Sequence, residues 1–219
     1  GKKYNELSKS VKEKLQNDIL KEQNAVKSNI ASKAVKMQYK QSFTTAVNGF
    51  SGIVEYGQIA AIKSVEGVTK VTIANEYPRP EANPEMKYSK EIVQAQITWD
   101  DYGVKGEGMV VGIIDTGIDP SHKDMVLTDA SKADLTKAEV EAAIAEKGIH
   151  GQFYTEKVPY GYNYYDENNQ ILDIGPDASM HGMHVAGTVG ANGNEEEGGL
   201  KGVAPEAQLL ALRVFGEKA

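Results

Sequence analysis

From Leu7 onward apolar residues recur at four-residue steps, at Val11, Leu15 and Ile19, and Val26 and Ile30 carry the stripe on through a Lys, Glu, Gln and Asn background. This spacing predicts one long amphipathic helix. The period then shortens: VKMQYKQSFTTAVNGF and SGIVEY predict β segments, with Asn48 and Gly49 as a turn or bulge candidate. A short helix over residues 58–64 and a strand over VTKVTIA complete this part. Residues 75–85, NEYPRPEANPE, hold three prolines and few apolar residues, the composition of a linker and a domain boundary.

Beyond the linker the pattern predicts a helix over 89–99, a turn at DYGVKGEG, and then MVVGIID, an apolar run of the kind expected of a parallel strand covered on both faces. An alanine- and glutamate-rich helix over 136–147, a strand at VPYGYNYY, a helix over 181–189 and a strand at AQLLALRVF follow. Strands alternating with helices predict an α/β layered sheet. With 40% hydrophobic residues among 219, the chain can bury a core. A net charge of -7 argues against nucleic-acid or anionic-membrane partners, which require a basic patch. No cysteine is present, so disulfides, thiolate metal sites and a cysteine nucleophile are excluded. No stretch approaches the roughly 18 apolar residues of a membrane helix.

Two motifs carry candidate chemistry. MVVGIIDTGID places Asp115 at the carboxyl end of a predicted buried strand, where open α/β sheets form ligand crevices. A strand-end aspartate that only braces a turn reads the same way. SMHGMHVAGTVGANG opens a helix with His181 and follows it with small residues at Gly182, Ala186, Gly187 and Gly190, which permit very close packing around the imidazole. A metal pair of His181 and His184 is a weak rival, because the HExxH arrangement is absent.

Together, DTGID, HGMHVAG and GVAPEAQLLALRV resemble, in order and character, the aspartate, histidine and post-histidine segments of the subtilase family of serine peptidases. The resemblance implies Asp115 as the triad aspartate, His181 as the general base and His184 as structural. It implies an α/β fold, a subtilisin-like, mostly parallel sheet flanked by helices and incomplete within these residues. No serine follows Ser179, so the family's nucleophile segment is expected outside this sequence, in a C-terminal part that would be a partner of this one. VNGFSGIVEYGQIAAIKSVEGVTKVTIAN resembles the latter half of the subtilase propeptide, a small α+β inhibitor and folding aid. The expected domains are therefore a propeptide at 1–76, a linker with the maturation site at 77–88, and the first part of the catalytic domain at 89–219.

Within the family, HGMHVAG, DTGIDPSHKDM and KVPYGYNYYDENN are most similar to the lactocepin-like cell-envelope proteinases of Gram-positive bacteria. That resemblance implies an extracellular, cell-wall-associated enzyme with protein and peptide substrates and no membrane contact by this segment. The chemistry requires no cofactor. The resemblance also places a structural calcium ion near Asp124 and the loop NGNEEEGGL, with Asn194 as a second ligand, although that loop is more simply a solvated acidic turn. The alternative function is a non-catalytic inhibitor or chaperone, or a pseudoprotease. His122 and His150 read as surface residues, and the alternation of Tyr160, Tyr162 and Tyr164 as a half-buried strand.

Overall fold

The computed structural model describes residues 4, 7–80, 89–175 and 177–216. The chain divides into two compact units, Gly1–Glu76 and Tyr77–Ala219. Most of the expected linker, residues 81–88, lies outside the described residues.

In the first unit the apolar stripe forms α1 (Lys9–Ser32). Only its second half meets a core: Ile30 is fully buried and Val26 packs beside Val35, Ile62, Val65 and Phe50. Val11 and Leu15 remain 43% and 42% exposed. The stripe also buries Gln23, which sequence pattern did not single out. Its Nε2 donates to the carbonyls of Phe43 (2.8 Å) and Gly49 (3.0 Å), and it lies 3.1 Å from Asn48 Oδ1. A carboxamide on the helix thus satisfies carbonyls at the mouth of the hairpin, where an aliphatic side chain would leave them unpaired.

That hairpin joins β1 (Gln38–Phe43) to β2 (Gly49–Ile53) in antiparallel register. The register shift falls between Tyr39 and Ser42, so the irregularity is not at Asn48 and Gly49; Asn48 ends the connecting loop 44–48 and Gly49 opens β2. α2 (Ile59–Lys63) follows a 3-10 turn at Tyr56–Gln58. VTKVTIA forms no strand: Val68 and Val71 pack on the core, but among the described residues no neighbouring strand offers its backbone a ladder.

The second unit opens with α3 (Ser89–Ile92) and α4 (Ala95–Tyr102), not one helix. The break is Gln94, which adopts a left-handed conformation. Trp99 on α4 is buried and donates its indole N–H to the Val203 carbonyl at 2.9 Å. β3 (Val110–Asp115), β4 (Tyr160–Asn163) and β5 (Gln208–Arg213) form a parallel sheet in the order β3-β5-β4. α5 (Lys137–Lys147) begins with a reciprocal capping box between Thr136 and Glu139 and ends at left-handed Gly148.

α6 (His181–Gly190) packs on β3 and β5. Between helix and sheet lie Ile113, Ala186, Leu209 and Ala211, with Ile118, Val158 and Ile171 extending the core. The buried Lys157 ties down the approach to β5, donating from Nζ to the carbonyls of Pro205 and Ala207, both at 2.6 Å. Contrary to expectation, β3 is covered on one face only among the described residues. Ile113 and Asp115 face α6, whereas Gly112 and Ile114 point the other way, Ile114 being 67% exposed.

Candidate active site

β3 delivers Asp115 to the carboxyl edge of the sheet, and the first residue of α6 is His181. The imidazole Nδ1 lies 2.8 Å from Asp115 Oδ1 and 2.9 Å from Oδ2. A carboxylate accepts from the ring N–H, so in a neutral imidazole at this contact Nδ1 carries the proton and Nε2 the lone pair. The carboxylate is buried while the histidine side chain is 31% exposed, so the ring offers an open face to a reactant.

The approach of these residues depends on glycine. A Cβ on Gly182 would sit 2.5 Å from the Gly117 carbonyl oxygen and 2.8 Å from its nitrogen. Gly117 itself has φ of 130°, and a Cβ there would meet the Ile171 carbonyl at 2.1 Å. The helix start and the strand-end loop therefore touch backbone to backbone. Fully buried Thr116 secures this contact, its Oγ1 accepting from Gly182 N at 2.9 Å, while Thr116 N donates to Asp115 Oδ1 at 2.7 Å.

Sequence reasoning missed three members of the surroundings. Thr116 is one; its place directly after Asp115 was the available signal. Asp173 is the second, a buried carboxylate whose Oδ2 accepts from Ser179 N (3.0 Å) and Met180 N (3.3 Å), the two residues before His181. The third is Arg79, whose guanidinium engages both oxygens of Asp173. Only Arg79 and Arg213 are arginines, against 22 lysines, and this scarcity was the clue.

The remaining expected site residues are elsewhere. Asp124 is buried; its Oδ2 accepts from Leu200 N at 3.0 Å, its Oδ1 faces Lys123 Nζ at 3.1 Å, and its carbonyl accepts from Asn192 N. Asn194 Oδ1 accepts from Glu196 N and caps the 3-10 turn Glu195–Glu197. Both side chains thus anchor the loop. Calcium takes roughly six to eight oxygen ligands. Among the described residues no group of three or more His, Cys, Asp or Glu is placed to hold a metal ion. His184 is exposed on α6. His122 is exposed, its Nδ1 accepting from Asp124 N, and His150 stacks on Tyr162 at 5.3 Å. Tyr162 is buried and Tyr164 half exposed, so the tyrosines form a strand flank. Burial raises the Tyr160 hydroxyl well above the ordinary tyrosine range.

A family model described as the subtilase family, Peptidase S8, matches residues 106–219, the region that holds β3, α6 and β5. The chain belongs to the subtilase family. Over 177 residues, 80% of its length, this subtilase is 46% identical to a PII-type proteinase of Lacticaseibacillus paracasei and 45% identical to a PI-type proteinase of Lactococcus lactis subsp. cremoris. Over 115 residues, 50% of its length, it is 38% identical to a C5a peptidase of Streptococcus pyogenes. It spans 9% of the length of each of these relatives. A solved structure, the CspB protease of Clostridium perfringens, aligns with 61% of this chain and 27% of its own, at 22% identity and a TM-score of 0.40.

Proposed function

We propose that this subtilase segment supplies the aspartate and histidine of a Ser-His-Asp triad in an endopeptidase that hydrolyses extracellular proteins at the cell wall. The observation that carries this reading is the contact of His181 Nδ1 with both oxygens of buried Asp115, beside an exposed imidazole face. In this reading Nε2 takes the proton of a serine hydroxyl as it attacks the scissile carbonyl. Asp115 stabilises the imidazolium, and His181 then returns the proton to the leaving amine. The serine comes from a part of the protease not contained in these 219 residues, so this segment alone does not hydrolyse peptides. The first unit acts as the inhibitory propeptide, with maturation within 77–88. Among the described residues no helix is long and apolar enough to cross a membrane.

The test is Asp115→Asn in the complete protease. Asparagine donates to Nδ1 and so presents the wrong tautomer to serine, and kcat on casein is expected to fall by roughly four orders of magnitude. Labelling by a serine-directed fluorophosphonate should slow in parallel. Retention of kcat within tenfold of the parent would refute the assignment.

A further inference from the structure

The first unit carries an open groove of about 1050 Å³ lined only by its own residues. Consecutive residues 49–54 and 66–74 line it, together with Val26 of α1 and Ile62 of α2. A groove on a face of the hairpin would touch both strands, but all of β2 and none of β1 lines this one. It therefore runs along the edge of β2 that β1 leaves free, and β1 is the only strand paired with β2 among the described residues. On its other long side, the backbone of 69–74 makes no hydrogen bond among the described residues, although VTKVTIA has the β-branched composition of a strand. Ile53 and Ile73, one from each side, stand 60% and 59% exposed. Two unpaired backbone edges that also present apolar side chains fit an extended strand better than a compact ligand.

The topology of the unit names the occupant. A strand that runs into α1 and continues through it to β1 forms a crossover, which sets it parallel to β1 and so antiparallel to β2. Residues 68–74 follow β2 through α2, a second crossover, which sets them antiparallel to the same strand. The reach is sufficient. α1 is tied to the hairpin mouth at Gln23, and its start at Lys9 lies 14 residues earlier, about 21 Å away at 1.5 Å per residue. The eight residues before Lys9 can span about 26 Å when extended. The relatives are far longer than this chain, which covers 9% of each. We propose that the groove receives a β-strand from the segment immediately upstream of Gly1 in the full-length protein, paired antiparallel with β2 on one side and with 68–74 on the other. Every second residue of that strand is apolar and faces Val26 and Ile62. The added strand turns a hairpin that is marginal by itself into a four-stranded sheet, in the order β1, β2, upstream strand, 68–74. This pairing is independent of any peptidase activity of the second unit.

The experiment compares the 219-residue chain with the same chain preceded by its native upstream segment, using amide hydrogen exchange read by mass spectrometry. Fragments covering 68–74 should exchange at least about tenfold more slowly in the longer chain, because their N–H groups gain a ladder. Fragments covering α5, in the second unit, should exchange at the same rate in both. Equal exchange of 68–74 in the two chains overturns the proposal. Slow exchange of 68–74 in the 219-residue chain that depends on its concentration assigns the groove to a second copy and overturns it as well. A second arm tests the seating of the strand. Aspartates placed at one alternating set of positions in the upstream segment should abolish the protection of 68–74, and aspartates at the other set should leave it. Equal effects of the two sets mean that no face of the segment is buried against α1 and α2, and the proposal fails.

Discussion

Replacing Gly182 by alanine tests whether close backbone contact assembles the site. The added methyl would lie 2.5 Å from Gly117 O, 2.8 Å from Gly117 N and 3.1 Å from Asp115 Cβ. Two of these neighbours are backbone atoms of Gly117, in the loop that leaves β3, so neither rotates away as a side chain could. Forcing a methylene into a packed interior costs about 1–3 kcal/mol. At Gly187, five residues along the same helix, a Cβ meets nothing within 4 Å. Alanine there should gain up to about 1 kcal/mol of helix propensity. The two substitutions should therefore act in opposite directions and differ by about 1–4 kcal/mol. Urea unfolding followed by Trp99 fluorescence reports the second unit alone. The low-field proton resonance of the His181 Nδ1–H bonded to Asp115 should weaken in Gly182→Ala and persist in Gly187→Ala. If Gly182→Ala were as stable as Gly187→Ala and kept that resonance, close approach would not be what positions the histidine.

Two other perturbations test the surroundings. Thr116→Val keeps the shape but deprives Gly182 N of its buried acceptor, and should cost about 1–3 kcal/mol by the same urea assay. Burial lowers Lys157 to about 8 from the ordinary 10.5, so between pH 8 and 10.5 the unfolded chain binds more protons than the folded one. Stability should rise with pH across that window, and the rise should be missing from Lys157→Met; a parallel profile in the two proteins would contradict the buried-ammonium account.

Asp115 and His181 were legible in the sequence because each lies inside a short contiguous motif, and the elements that carry them have strong local periodicity. β3, α6 and β5 follow for the same reason, and α5 follows from its alanine and glutamate content, with Thr136 and Glu139 at its start. What escaped depends on partners distant in sequence. Asp173 looks like an ordinary loop aspartate until Arg79 is brought to it. Gln23 looks like a solvated helix position until the hairpin mouth arrives. VTKVTIA has strand chemistry but no partner edge, and pairing rather than propensity decides a ladder. The break at Gln94 left no trace, since no glycine or proline marks it. The one-sided cover of β3 is a property of neighbours, which an apolar run cannot specify.

The sheet order β3-β5-β4 has a kinetic meaning. β5 is the last of the three strands to be synthesised, and β3 and β4 have no other sheet partner among the described residues. Val110 must wait for Gln208 and Tyr160 for Leu210 before either finds its register. Loop closure of that span comes before any ladder bond can offset it, which makes such pairing slow. A ribosome therefore releases most of this unit before its sheet can zip, whereas the hairpin of the first unit closes within a few residues. The order of emergence favours a finished first unit standing beside an unfinished second one, with Ile113 and Val111 still in water and prone to unwanted association.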